Sequence, residues 1–203
     1  AWTQLSDAMW GGKTQVADAR FIGCELPVSS AKDSTDLALS GCATMKAEVS
    51  EFAGAARHLG GGFAPLDVST YQRVSFAVQS NHPIRICLES PSRAGTEQPC
   101  AQIPAYPQAT LVTLPMSAFV AKDTCNAIAT TALETVSFVS SEPGSLDLTV
   151  ADLRFGQGAL QNSTTLPCVP TEEQPEPLAS GCSTTRHRAP QAPGALMTLM
   201  VLL

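Results

Sequence analysis

A chain of 203 residues has room for one domain of about 150 residues plus extra segments, and a domain of that size buries roughly 70% of its unfolded surface without a metal or partner. Only 15% of the residues are charged, while Ser, Thr, Gln and Ala are abundant, a balance that leans towards strands and loops rather than helices. The net charge is −6 and the only basic cluster is Arg186-His187-Arg188, which speaks against nucleic acid as a partner.

In chain order, Ala1 opens the sequence with no charged or apolar leader ahead of Trp2, so a signal peptide is expected to have been removed or left out. Residues 43–52 alternate through Met45, Ala47 and Val49, and Gly60-Gly61-Gly62 marks a break. The clearest period-two pattern follows. Val74, Phe76 and Val78 alternate with Arg73, Ser75, Ala77 and Gln79, which predicts a strand with one buried face. Turn chemistry at Ser80-Asn81-His82-Pro83 leads into a second strand that buries Ile84, Ile86 and Leu88 and turns Arg85, Cys87 and Glu89 away. The two strands read as a hairpin.

After a loop over residues 90–99, residues 109–115 predict a strand that stops at Pro115, and residues 133–140 predict another with Val136 and Phe138 on one face. In residues 146–155, Leu146, Leu148 and Val150 share a face, but Leu153 and Phe155 have the opposite parity. One extra residue at Ala151-Asp152 restores the register, so a β-bulge is expected there. Many short strands separated by turn clusters indicate an all-β sandwich or barrel. Residues 156–181 then lose all apolar periodicity and carry Pro167, Pro170, Pro175 and Pro177, the composition of a disordered, Pro-rich stalk. Asn162-Ser163-Thr164 fits the N-glycosylation acceptor pattern.

The end of the chain, Ser180-Gly181-Cys182-Ser183, a polar spacer and an apolar run over residues 195–203, resembles the C-terminal sorting signal of myxobacterial surface proteins (the MYXO-CTERM type). A run of nine residues, apolar except for Thr198, is too short to span a hydrocarbon core of about 30 Å. In that family a Gly-Cys pair precedes the hydrophobic helix and an Arg cluster follows it. The Arg cluster is missing here, which suggests a segment truncated within a short apolar helix. The resemblance implies that Cys182 is a processing or anchoring site, that the membrane is reached through this C-terminal segment, and that the protein is secreted to the cell surface or outer membrane of a Gram-negative bacterium. With Cys182 set aside, six cysteines remain, enough for three bridges among fifteen connectivities. Dispersed cysteines without a C-x-x-C pair point to disulfides in an oxidising compartment rather than to zinc. The pairing expected is Cys24–Cys42, Cys87–Cys100 and Cys125–Cys168. The domain boundaries expected are 1–155 for the sandwich, 156–181 for the stalk and 182–203 for the sorting segment.

Within the domain, Leu66-Asp67-Val68-Ser69-Thr70-Tyr71 leading into the strand at Val74, the run Leu114-Pro115-Met116-Ser117-Ala118-Phe119, and the closing strand Leu146 to Phe155 occur in an order that resembles carbohydrate-binding jelly rolls with a galactose-binding-like fold. Ala77 stands where that family often has a surface Trp, and Ala151 replaces the first Asp of its closing acidic pair. The resemblance implies a jelly-roll β-sandwich and a polysaccharide ligand. It also implies a possible structural calcium between the N-terminal segment and the last strand, for which Asp7 and Asp152 are the oxygen donors to consider; Asp152 as a bulge residue is the other reading.

Sugars are gripped by an aromatic face against C–H surfaces and by polar groups that fix hydroxyls. Arg73, Arg85 and Glu89, on the polar face of the expected hairpin, are candidate hydrogen-bonding residues, and Trp10 and Tyr106 are candidate stacking residues. No G-x-S-x-G, H-E-x-x-H or phosphate-binding glycine loop is present, so a non-catalytic module is expected. The alternative partner to polysaccharide is another envelope protein, consistent with a low aromatic content of 5%.

Overall fold

In a computed structural model, residues 1–24, 26–28, 35–60, 64–91, 98–121 and 130–158 are described. They form ten strands: β1 (Trp2–Ser6), β2 (Gln15–Arg20), β3 (Leu37–Val49), β4 (Ala53–His58), β5 (Arg73–Ser80), β6 (Ile84–Glu89), β7 (Cys100–Ile103), β8 (Tyr106–Pro115), β9 (Thr135–Ser140) and β10 (Gly144–Gly156). Two five-stranded antiparallel sheets result, one in the order β1-β4-β9-β6-β7 and the other β2-β3-β10-β5-β8. The fold is a jelly-roll β-sandwich. For brevity the first is the front sheet and the second the back sheet.

The core between the sheets is built from the alternating residues of each. Val74, Phe76 and Val78 of β5 and Leu146, Leu148 and Val150 of β10 enter from the back sheet; Ile84, Ile86 and Leu88 of β6 and Val136 and Phe138 of β9 enter from the front. Phe138 stands at the centre, edge-on to Phe76 with ring centroids 5.1 Å apart and tilted against Trp2 at 6.0 Å.

The β5–β6 hairpin read from the sequence is not formed. β5 lies in the back sheet and β6 in the front sheet, so the segment Asn81-His82-Pro83 crosses the end of the sandwich. Both strands bury one apolar face, and that pattern is satisfied as well by facing each other across a core as by lying side by side. Asn81 anchors the crossover to the back sheet: its side-chain oxygen accepts from Asp147 N–H at 2.8 Å, and its amide donates to Ser145 O at 2.7 Å. Glu89 and Arg85 therefore face away from the back sheet, where Arg73 lies.

The bulge in β10 is where the parity change placed it. Pairing with both β3 and β5 shifts register just after Ala151, and Asp152 adopts φ of +55°. Only after this shift do Leu153 and Phe155 return to the core. A left-handed backbone costs an ordinary L-residue roughly 1–2 kcal/mol and Gly almost nothing. Both Asp152→Gly and Asp152→Val lose the 3.4 Å ion pair with the buried Arg154, so the backbone effect shows in their difference: Asp152→Val is expected to fall about 1–2 kcal/mol below Asp152→Gly in urea titration; equal midpoints for the two would refute the backbone account. The sequence-level stalk, the sorting segment with Cys182, and the Cys125–Cys168 pair lie outside the described residues, apart from Gly156, Gln157 and Gly158.

Candidate functional site

The outward face of the front sheet is read directly from its register. Leu5, Gly54, Val139, Arg85 and Gln102 stand side by side across all five strands, and one step along lie Thr3, Ala56, Ser137, Cys87 and Cys100. A third row holds His58, Thr135 and Glu89. With neighbouring strands about 4.8 Å apart, each full row spans roughly 19 Å. The middle row consists of small side chains and one disulfide, so it forms the floor of a depression between larger flanking residues.

Two adjoining hollows open on this face. One, of about 390 Å³, is lined by Leu5, Phe52, Arg85, Glu89, Gln98 and Ser137 together with the Cys87–Cys100 bridge; the other, of about 300 Å³, contains Pro83, Gln102 and Glu142. Arg85, Val139 and Ser141 are common to both, so Arg85 stands between them. Volumes of this size lie at the lower end of small-ligand sites. The bridge arises because Cys87 and Cys100 are directly opposite across β6 and β7, with Cα atoms 4.1 Å apart.

Arg85 and Glu89 project from the same side of β6, four residues and therefore about 13 Å apart. Among the described residues neither makes an ion pair or a side-chain hydrogen bond, so both heads are available to a ligand. One end of the face is fenced by His58, whose ring nitrogens lie 3.2 Å from Thr3 Oγ1 and 3.1 Å from Thr135 Oγ1. The opposite corner is aromatic. Phe52 forms part of the wall, and the indole of Trp10, 64% exposed, packs beside it with centroids 6.1 Å apart.

The back sheet's outer face offers a contrast. Its polar groups meet one another: Thr44 with Thr149 at 3.0 Å, Ser75 with Thr113 at 3.0 Å, and Lys46 with Asp147 at 3.1 Å. Such cross-strand pairs stabilise a sheet and leave few groups to hold a ligand. Two of the sequence-predicted ligand residues belong to this sheet and are not brought to the others. Arg73 is turned to Asp36, 3.4 Å away, and Tyr106, at the start of the edge strand β8, packs half-buried against the core. Sequence reasoning placed Arg73 beside Arg85 because it assumed a hairpin. It missed Phe52, Gln98 and Gln102, which no alternation marks out: Gln102 joins the face by pairing with Arg85, while Phe52 and Gln98 lie just outside the strands.

Asp7 and Asp152 are likewise apart. Asp7 follows β1 and bonds to the turn just beyond Val49, whereas Asp152 lies beside the stretch from Cys42 to Leu39; the separation along β3 is more than about 20 Å. They do not share a cation site. Asp7 is only 2% exposed, and its carboxylate accepts from Thr14 N–H at 2.7 Å and from the Ser50 hydroxyl. Burial pushes its pKa up, but the hydrogen bonds from Ser50, Thr14 and the Glu51 N–H outweigh that and hold the carboxyl below the ordinary aspartate value. A carboxyl depressed in the folded state contributes stability above its unfolded pKa and loses it as pH falls through the folded one. Acid titration below about pH 4 should accordingly show one component that Asp7→Asn abolishes, followed by circular dichroism.

Cys24 and Cys42 are also bridged, with Cα atoms 5.9 Å apart, which ties the segment after β2 to β3 on the back sheet.

No protein-family model and no curated protein matches the chain. Solved structures do share its fold. A family 11 carbohydrate-binding module from a cellulosomal cellulase of Clostridium thermocellum is 15% identical, aligned over 80% of this chain and 91% of its own, with a TM-score of 0.53. A Clostridium thermocellum family 11 module in complex with a β-1,3-1,4-mixed-linked tetrasaccharide is 17% identical over 79% and 91% of the two chains, also with a TM-score of 0.53. At these identities the likeness is one of fold.

Proposed function

We propose that this chain is an exported, non-catalytic polysaccharide-binding module, and that it binds glycan along the outer face of the front sheet. The observation that carries the reading is the arrangement of that face: a floor of small side chains and a disulfide crossing the sheet, Arg85 and Glu89 rising from it with no side-chain partner among the described residues, and Phe52 with Trp10 at one corner. A strip roughly 19 Å long suits a few consecutive pyranose rings. The arginine and glutamate heads, with Gln98 and Gln102, can donate to and accept from ring hydroxyls, and the aromatic corner can cover the apolar C–H face of a sugar. Two of the solved structures that share the fold are carbohydrate-binding modules, one with an oligosaccharide bound, and this favours a glycan over other ligands for the same face. Two disulfides agree with an extracellular setting, and residues 180–203 are proposed to tether the module to the cell surface.

Affinity electrophoresis and calorimetry against soluble mixed-linked β-1,3-1,4-glucan, xylan and galactomannan test this directly. Binding to at least one is expected. Arg85→Ala and Trp10→Ala should each weaken it by about tenfold, the equivalent of one charge-assisted hydrogen bond or one stacking contact. Arg73→Gln, on the other sheet, should leave it unchanged. Retardation by none of the polymers, or equal losses for Arg73→Gln and Arg85→Ala, would overturn the assignment.

A further inference from the structure

Trp10 is held at the corner of the groove by a short 3-10 turn, Asp7–Trp10, that has little to fix it on its outer side. Met9 and Trp10 are both exposed, so their own burial does not hold the turn down. What does hold it is beneath. The backbone N–H of Asp7 donates to Phe52 O at 3.2 Å, and the Gly12 N–H returns to Asp7 O at 2.9 Å. The buried Asp7 carboxylate then gathers two further segments: one oxygen takes Thr14 N–H, the other the Ser50 hydroxyl, while Ser50 N–H donates to Thr14 Oγ1 at 3.0 Å. Ser50, Glu51 and Phe52 make the turn between β3 and β4, and Glu51 and Phe52 are themselves lining residues of the groove.

The carboxylate is packed as tightly as it is bonded. A Cβ placed on Gly12 would lie 2.7 Å from Asp7 Cγ and 2.8 Å from its Cβ, so the loop after Trp10 closes over the carboxyl with no room for a side chain. Gly11, at φ of +87°, supplies the left-handed step that ends the turn. Every donor aimed at Asp7 requires an acceptor there, and a carboxylate is the only side chain of this size that accepts on both oxygens at once.

We propose that Asp7 is a positioning residue for glycan recognition, acting through Trp10. Resting on the binding surface assigned above, the proposal is that the Asp7, Thr14 and Ser50 network sets the indole against Phe52, so that a stacking platform already stands in place when the sugar arrives. Pre-set platforms bind more tightly because no side-chain freedom is lost on binding. Asp7 itself touches no ligand.

The consequence is a coupling that a merely structural aspartate would not show. Against mixed-linked β-1,3-1,4-glucan, Asp7→Asn should weaken affinity roughly tenfold when Trp10 is present and by less than about twofold in the Trp10→Ala background, the signature of residues that act as one unit. Ser50→Ala should fall in the same direction, and Ser50→Thr, which keeps the hydroxyl, should restore affinity. These milder variants keep the test open if Asp7→Asn lowers the melting temperature. The chain contains two tryptophans, and Trp2 is 7% exposed in the core, so acrylamide quenching and fluorescence anisotropy report chiefly on Trp10. Faster quenching and lower anisotropy are expected in Asp7→Asn and Ser50→Ala. An unchanged Trp10 signal in both overturns the positioning role, whether or not glucan binds. If the wild-type chain ignores glucan while the Trp10 signal shifts as expected, the binding assignment fails and the positioning network stands. Additive losses in the double variant show that Asp7 acts on affinity by some route other than Trp10, and overturn the proposal.

Discussion

Phe138→Ala is expected to cost about 3–5 kcal/mol and to lower the melting temperature by on the order of 10 °C. Phe138 is fully buried on β9, the central strand of the front sheet, and its ring is packed edge-on to Phe76 and tilted against Trp2. The aromatic contacts add to the loss of buried area, and neither neighbour can move into the gap freely. Phe76 is held by β5, whose flanking partners are β8 and β10, and Trp2 by its pairing to β4. Collapse around the missing ring is therefore limited, which places the cost in the upper part of the range for such truncations. Phe138→Leu, which keeps most of the volume, should lose less than half as much. Urea denaturation measures both, and a loss under about 1.5 kcal/mol for the alanine variant would show that the two sheets close up after all.

Removing the disulfides should produce a second large loss with an internal contrast. The Cys24–Cys42 and Cys87–Cys100 bridges close loops with sequence separations of 18 and 13. Loops of that length correspond to about 3 kcal/mol each, chiefly through the freedom the bridge denies the unfolded chain. Replacing either pair by alanines should therefore lower stability by similar amounts. Their effect on ligand binding should differ. Cys87 and Cys100 are part of the groove floor and pin β7, a four-residue edge strand, to β6. Cys42 lies on β3 of the back sheet and Cys24 in the segment that follows β2, away from the groove. At a temperature where both variants are folded, glucan affinity should fall only when the Cys87–Cys100 pair is lost. Equal affinity in the two variants would remove the disulfide, and with it the floor, from the binding surface.

The alternation at Val74, Phe76 and Val78 and at Ile84, Ile86 and Leu88 identified two strands and the faces they turn to the core, because period two is a local property, although Ser75, Ala77 and Cys87 on their other faces are buried too. The change of parity between Val150 and Leu153 located the bulge for the same reason. What stayed hidden was which sheet each strand joins, since an apolar face carries no mark of its partner. Arg73 was thus grouped with Arg85 when the two are on opposite sheets. β4, whose residues Ala53 to His58 are rich in Ala and Gly, showed no strand signal at all; its first four residues are buried on both faces and need no alternation. Gln102 entered the candidate site through its register with Arg85, and Phe52 through the turn between β3 and β4. The Cys24–Cys42 and Cys87–Cys100 pairs expected from the sequence are the ones the fold closes.

The order of strands in the back sheet, β2-β3-β10-β5-β8, has a kinetic consequence. β10 is the last strand among the described residues, yet it sits in the middle and pairs with both β3 and β5. Its partners on β3 are roughly a hundred residues earlier, so most of the sheet's contacts are non-local and the relative contact order is high. Such topologies fold on the millisecond-to-second scale rather than in microseconds. Until Gly144–Gly156 has emerged, β3 and β5 have no shared neighbour and the back layer of the core cannot close. The polypeptide therefore commits to its native state late, only once the whole domain is available.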